Sequence, residues 1–327
     1  NDSGGTNTIT AGLGNDTITG GTGSDTFTFA AVTGLTSADT VDGGTGTDTV
    51  ALTGDTVFTA TNDFDNVSNI ETITLTNTTT AVTITTQNAL VASGATLTLS
   101  NAVNSGALTF NGSAETNGNF NITGGTSNDS ITGGAGADTL VGGTGNDSIT
   151  GGEGIDTISS GMGADTINLT ESTPVADVIV FGNGSTVTGG ADIVFSALGG
   201  ADSITGFSPT DDLRFDTSAF GLAGSTEYVG AITGLATSSG DEIVILTTTG
   251  YASDEAAEDA IASRVTTGSL DMVFVYFNTA DNTAHIVHDI DANADGTDTT
   301  TLIGTITNLT TQGSVDALTT NNLSSFG

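Results

Sequence analysis

Residues Gly124 to Asn168 read GGTSNDSIT, GGAGADTLV, GGTGNDSIT, GGEGIDTIS and SGMGADTIN, consecutive nine-residue blocks of the form G-G-x-G-x-D-x-U-x, where U is a large apolar residue. Asp129, Asp138, Asp147, Asp156 and Asp165 recur every nine residues, and Ile131, Leu140, Ile149, Ile158 and Ile167 follow each of them at an offset of two. The opening glycines permit a tight turn that visits positive φ. The x-U-x piece is a short extended segment with its apolar side chain on one face and Ser or Thr on the other. Each block is therefore one turn plus one strand. Burial of one Ile or Leu stabilises far less than the ordering of nine residues costs, so the blocks fold only by stacking.

If two blocks make one coil, loops stack every eighteen residues, with Asp129, Asp147 and Asp165 in one column and Asp138 and Asp156 in the other. Coils about 5 Å apart bring these carboxylates within a strand spacing of each other. Two such charges repel by roughly 3 kcal/mol at an effective dielectric of about 20, so a cation is expected between them. Three inter-coil sites follow from the register: Asp129/Asp147, Asp147/Asp165 and Asp138/Asp156. Carboxylates together with glycine-loop carbonyls are hard oxygen ligands in a flexible cage, which suits Ca²⁺ better than Mg²⁺ or a transition metal.

On these nonapeptides the chain resembles the RTX family of secreted bacterial proteins, and within it the RTX-type surface-layer proteins. The resemblance implies an all-β fold: a calcium-bound parallel β-roll or β-solenoid, holding several Ca²⁺ ions, with a β-rich C-terminal domain containing one short helix. A first, degenerate RTX block spans 1–51, with AGLGNDTIT, GGTGSDTFT and, after an insertion, GGTGTDTVA placing Asp16, Asp25 and Asp48 in the ligand slot. A Thr-rich β-solenoid spacer follows over 52–123, where Ile73/Leu75, Val82/Ile84, Leu97/Leu99, Leu108/Phe110 and Phe120/Ile122 each offer two inward side chains. Within it, NVSNIETITLTN (Asn66–Asn77) resembles a short module that recurs between repeat blocks in RTX-type surface-layer proteins. The main β-roll is 124–168.

Residues 169–216 hold decayed repeats, VTGGADIVF and ALGGADSIT, which keep Asp192 and Asp202 but are offset by the inserted Ser196. The stretch Ala201–Gly221 resembles the segment that closes the β-roll, and Arg214 within it is expected to form a surface salt bridge to Asp211, Asp212 or Asp216. Residues 217–327 read as the β-rich C-terminal domain, with a type I secretion signal implied by the resemblance. A helix is predicted over Ser253–Val265, a hairpin over Met272–Asn278 and Thr283–Ile290, and a strand over Thr300–Leu309. Asp291, Asn293 and Asp295 match the first half of a D-x-[DN]-x-[DN]-G calcium loop, but position twelve is Leu302 instead of Glu. An isolated calcium site, to which Asp289 would add a carboxylate, and an Asx-rich turn both fit.

The chain carries 38 acidic residues against two basic ones, for a formal net charge of −36, which makes nucleic acid and anionic membranes poor partners. It has no Cys and hence no disulfide. No apolar run approaches transmembrane length, so no membrane insertion is expected. The sequence opens at Asn1 without Met or a basic signal peptide, and an upstream segment is expected. His285 and His288 are the only histidines and lie three apart on a strand, facing opposite ways, so they read as ordinary hairpin residues and not as a zinc pair. No G-x-S-x-G elbow is present.

The expectation is a non-enzymatic, calcium-dependent structural protein at the bacterial cell surface. It would be exported by type I secretion machinery through its C-terminus and would self-assemble into a surface layer or filament, with cell-surface polysaccharide as a second partner. The alternative is the C-terminal calcium-folding and export module of an RTX enzyme, toxin or adhesin whose active domain lies upstream of residue 1.

Overall fold

The computed structural model describes residues 4–30, 34–53, 58–60, 64–76, 79–181, 201–216, 226–230, 241–246, 249–262, 271–290, 300–319 and 322–326. The chain divides into two compact units, Asn1–Ser160 and Gly161–Gly327.

The first unit is a parallel β-solenoid. One wall runs Thr8–Thr10, Thr26–Ala30, Thr49–Thr53, Thr72–Thr76, Thr96–Ser100, Asn119–Gly125 and Thr139–Thr144. The facing wall runs Phe58–Ala60, Val82–Thr85, Leu108–Asn111, Ser130–Thr132 and Ser148–Thr150, and a third, short sheet joins Thr17–Thr22, Thr40–Thr45 and Val67–Ser68. Register, not coil length, is held constant. Thr8 pairs with Thr26 eighteen residues on, Thr49 with Thr72 after twenty-three, and Thr72 with Thr98 after twenty-six. Extra residues are taken up in loops, so the inward apolar positions of paired strands still fall on common interior rows.

One such row is Phe27, Val50, Ile73 and Leu99, and another is Ile84, Phe110, Ile131 and Ile149. All are buried. The alternation of burial along Thr72–Thr76 and Thr96–Ser100 is the strict period-two pattern expected of the spacer, with two inward side chains per strand. Phe110 and Phe120 meet edge to face across the interior, 5.0 Å between ring centres. The spacer therefore packs aromatic rings where the nonapeptides of 124–168 offer only Ile or Leu.

In the second unit, Val178–Phe181 pairs in parallel with Asp212–Asp216, which pairs with Leu323–Phe326. Thr166–Asn168, Asp202–Thr205 and Thr300–Ile306 form a second parallel run. The order then changes: Thr283–Ile290 is antiparallel to both Thr300–Ile306 and Asp271–Asn278, and Asp241–Leu246 and Thr226–Gly230 complete the sheet in parallel. The hairpin forms where it is predicted, turning through Asn282 at φ 61°. The helix is Asp254–Ala262, with the Ser253 hydroxyl accepting from the Ala256 N–H and with Ala257 and Ile261 buried. Residues 263–270, including Arg264 and Val265, lie outside the described residues.

One correction concerns helix content. A second, four-residue helix, Gln312–Val315, follows the last long strand and is capped by Thr311, whose side chain accepts from the Ser314 N–H.

Candidate metal site

Most G-G-x-G-x-D loops turn on glycines in the left-handed region, for example Gly143 at φ 117° and Gly145 at φ 133°, whereas Gly133, Gly134 and Gly136 of the second block do not. The loop delivers its Asp two residues before the buried strand residue, so the carboxylate arrives at the coil corner already desolvated. Asp129, Asp138, Asp147, Asp156 and Asp165 are all buried, as are Asp25 and Asp48.

These carboxylates form ladders. The Asp129 N–H donates to Asp147 Oδ1 at 2.8 Å, and the Asp138 N–H to Asp156 Oδ1 at 2.9 Å, each across eighteen residues. Thus two of the three expected pairs adjoin as the register requires. Asp147 belongs to the first unit and Asp165 to the second. Within the second unit, the Asp165 N–H donates to Asp202 Oδ1 at 3.1 Å, and Ile167 pairs with Ile204. Asp202 therefore takes the next place in the ladder after thirty-seven residues instead of eighteen. In the first block, the Asn7 N–H donates to Asp25 Oδ1, the Asp25 N–H to Asp48 Oδ1 and the Asp16 N–H to Asp39 Oδ1.

One oxygen of each accepting carboxylate is thereby used, as Asp129 Oδ1 is by the Leu108 N–H at 2.6 Å, and the other decides the chemistry. Oδ2 of Asp25, Asp48 and Asp129 is buried with no hydrogen-bond partner. Such an orphaned anionic oxygen is costly unless a cation meets it. At Gly124, an added Cβ would run into Asp129 Oδ2 and the Gly142 carbonyl oxygen, and at Gly20 into Asp25 Oδ2 and the Gly43 carbonyl oxygen. Carboxylate and carbonyl oxygens thus crowd one glycine-lined hollow at the coil corner. The donor set is all oxygen, in keeping with Ca²⁺. No group of three or more acidic or His side chains placed to hold a metal occurs among the described residues, so backbone carbonyls must supply much of any cage.

Burial raises the carboxyl groups of Asp129 and Asp138 to about 6, opposed by the Leu108 N–H at Asp129 and by the Gly134 and Phe120 N–H groups at Asp138. The Glu115 charge pushes Asp138 up further. Asp138 differs from Asp129 in that its Oδ2 accepts from Gly134 N–H at 2.7 Å.

The family model of the RTX calcium-binding nonapeptide repeat matches in four copies, over residues 2–31, 32–55, 116–149 and 141–170. The chain carries RTX calcium-binding repeats. The matched residues make up about a third of the chain and coincide with the two blocks read from the sequence. No curated protein matches the chain. The RTX loops are the residues that would hold Ca²⁺, and the ion when bound supplies the positive charge that the column of buried carboxylates lacks.

The ladders also contain carboxylates outside the motif. Asp39, Glu71, Asp177 and Asp211 each stand two residues before a buried strand residue, namely Val41, Ile73, Ile179 and Leu213. Asp39 accepts the N–H of Asp16, Glu71 that of Asp48, and Asp211 that of Asp177. The offset of two was legible, but these loops lack the glycines that mark the repeat. Asp39 and Asp211 close their own loops, Asp39 Oδ2 accepting from Thr36 N–H and Asp211 Oδ2 from Ser208 N–H, both at 2.7 Å. Glu115 is fully buried, with Oε1 accepting from the N–H groups of Thr116, Asn117 and Gly118.

Of the other expected ligands, Asp192, Asp291, Asn293 and Asp295 lie outside the described residues. Asp289 is placed only as a backbone partner of Met272 and Thr300. Arg214 pairs with Asp212 at 3.3 Å on a partly exposed surface, a contact worth under about 1 kcal/mol. His285 is more constrained than its sequence context suggests: Nδ1 lies 2.7 Å from Asp254 Oδ1 and Nε2 lies 2.8 Å from Asp281 Oδ2. Tyr276 donates to the same Asp254 oxygen at 2.6 Å.

Proposed function

We propose that this is an extracellular structural protein whose RTX repeats order on calcium and which assembles with copies of itself into a bacterial surface layer or filament. The observation that supports it most is the continuity of the coil. The row Phe27, Val50, Ile73 and Leu99 runs from the first repeat block into the spacer without a change of register, so that repeat and non-repeat residues build one scaffold. In this reading the role of the chain is mechanical, not catalytic. Export through type I machinery and docking to cell-surface polysaccharide belong to the same proposal, and the strongly acidic surface disfavours nucleic acid and anionic membranes.

Extracellular calcium modules typically bind at about 10⁻⁴–10⁻³ M, so the repeats would be weakly stable in the cytosol and gain their stability outside the cell. The test is negative-stain microscopy and circular dichroism of the full chain with millimolar calcium and after EGTA. Sheets or fibres that dissolve on chelation are expected. Monodisperse rods would favour the export-module reading, and unchanged spectra and assembly in EGTA would overturn the calcium-dependent one.

A further inference from the structure

We infer that Asn69 and Glu71, in the spacer, join Asp48 to form a calcium site that closes the first repeat block, in a stretch that contains no RTX motif. The inference rests on the calcium reading of the repeats. Glu71 extends the column Asp25, Asp48: the Asp48 N–H donates to Glu71 Oε2 at 2.7 Å, as the Asp25 N–H does to Asp48 Oδ1. Asp48 is fully buried and its Oδ2 has no hydrogen-bond partner. That oxygen is aimed into the hollow at Gly43, where an added Cβ would meet Asp48 Oδ2 and the Asn69 carbonyl oxygen. The same hollow at Gly20 is lined by Asp25 Oδ2 and the Gly43 carbonyl, and at Gly124 by Asp129 Oδ2 and the Gly142 carbonyl. Asn69 thus stands where a repeat glycine stands in the next coil.

The substitutions in this half-site have physical reasons. Asp42 pairs with Ser68 and Thr49 with Thr72, so the six-residue loop 43–48 faces a three-residue loop, 69–71. The shorter loop cannot bring an Asp as far, and the extra methylene of Glu71 restores the reach. Asn69 sits at φ 53°, a region that Asn tolerates better than most residues, and its side chain donates to Asp42 Oδ1 at 2.8 Å. Glu71 and Asp48, whose Oδ2 is left bare, thus bring two carboxylates to one corner, an arrangement that a cation between them stabilises.

The test compares calcium uptake by the full wild-type chain, Glu71→Gln and Asp39→Asn in equilibrium dialysis against radioactive calcium. The amide of Glu71→Gln keeps an oxygen for the Asp48 N–H but brings no charge. Glu71→Gln should bind about one ion fewer, or bind it about tenfold more weakly, while Asp39→Asn keeps the wild-type count. Uptake by Glu71→Gln equal to wild type overturns the inference and leaves the repeats as calcium sites. No uptake by the wild type overturns both. Should Glu71→Gln fail to fold in calcium, hydrogen exchange of the wild type decides: the peptide spanning 69–72 should gain protection on calcium addition, and an unchanged rate there overturns the inference.

Discussion

The backbone N–H of Asp129 donates to the side chain of Asp147, eighteen residues further along the chain and one coil away. This bond spends one carboxylate oxygen on holding coils together, and its counterpart at Asp48, Asp25 and Asp129 leaves the second oxygen buried and without a partner. The ladder therefore supplies coil register on its own, and leaves a charge that the protein alone does not balance.

The first consequence is a pH dependence of the metal-free chain. Asp129 and Asp138 rise from 3.8 to about 6 on folding. Between those values the folded state holds protons that the unfolded state has released, so stability falls as pH rises through that window. Metal-free protein should melt at a higher temperature near about pH 5 than near about pH 7, and Asp129→Asn should flatten the dependence. Calcium needs the ionised form, so its apparent affinity should rise over the same range. A melting temperature of the metal-free chain that climbs steadily from about pH 5 to 7 would contradict this account.

Glycines at the coil corner and in open loops should respond unequally to a methyl group. An alanine at Gly124 would collide with Asp129 Oδ2 and the Gly142 carbonyl, whereas nothing lies within 4 Å of a Cβ at Gly12. Gly124→Ala should destabilise the calcium-bound protein by about 2–3 kcal/mol and Gly12→Ala by less than about 0.5 kcal/mol in urea unfolding.

Asp39 and Asp48 occupy equivalent ladder places but differ at Oδ2. Asp39 uses it to close its own loop with Thr36 N–H and hydroxyl, and Asp48 does not. Asp39→Asn should cost about 1–2 kcal/mol equally with and without calcium. Asp48→Asn should chiefly reduce the stabilisation that calcium adds, which a melting series against calcium concentration would show.

In the second unit, His285 is held between two carboxylates. Burial alone would lower its pKa, but Asp254 and Asp281 raise it above 6.5. Burial acts to raise the two carboxyls, yet hydrogen bonds, His285 among the donors, bring both below 3.8. A raised His value contributes stability below 6.5 that is lost as pH rises through the folded value, and the lowered Asp values contribute stability above 3.8 that is lost as pH falls below it. The imidazole should therefore titrate above 6.5 in NMR. His285→Gln should destabilise this unit by about 1–3 kcal/mol near about pH 6, and by less at about pH 9.

Much of the fold was readable because single-residue periodicities survive stacking. Ile73/Leu75 and Leu97/Leu99 alternate with polar residues, and both pairs point inward. The nine-residue spacing placed Asp129 beside Asp147 and Asp138 beside Asp156. What escaped was any ladder member without its glycines. Asp39, Glu71 and Asp211 reach the same corners from loops of other lengths, and only the pairing of flanking strands puts them there. The clamp on His285 was hidden for a different reason: Asp254 is on a helix thirty-one residues earlier, and nothing local marks the two as neighbours.

The sequence alone determined the coil, because one turn and one strand per nonapeptide leave stacking as the only way to bury an apolar residue and pair its backbone. It also determined oxygen chemistry, since this stretch offers carboxylates and carbonyls and nothing softer. The tertiary structure decided which carboxylate oxygens are already satisfied and which are left bare. That distinction depends on the length of each loop between paired strands, and so on whether a backbone N–H or a glycine hollow lies within a side chain's reach.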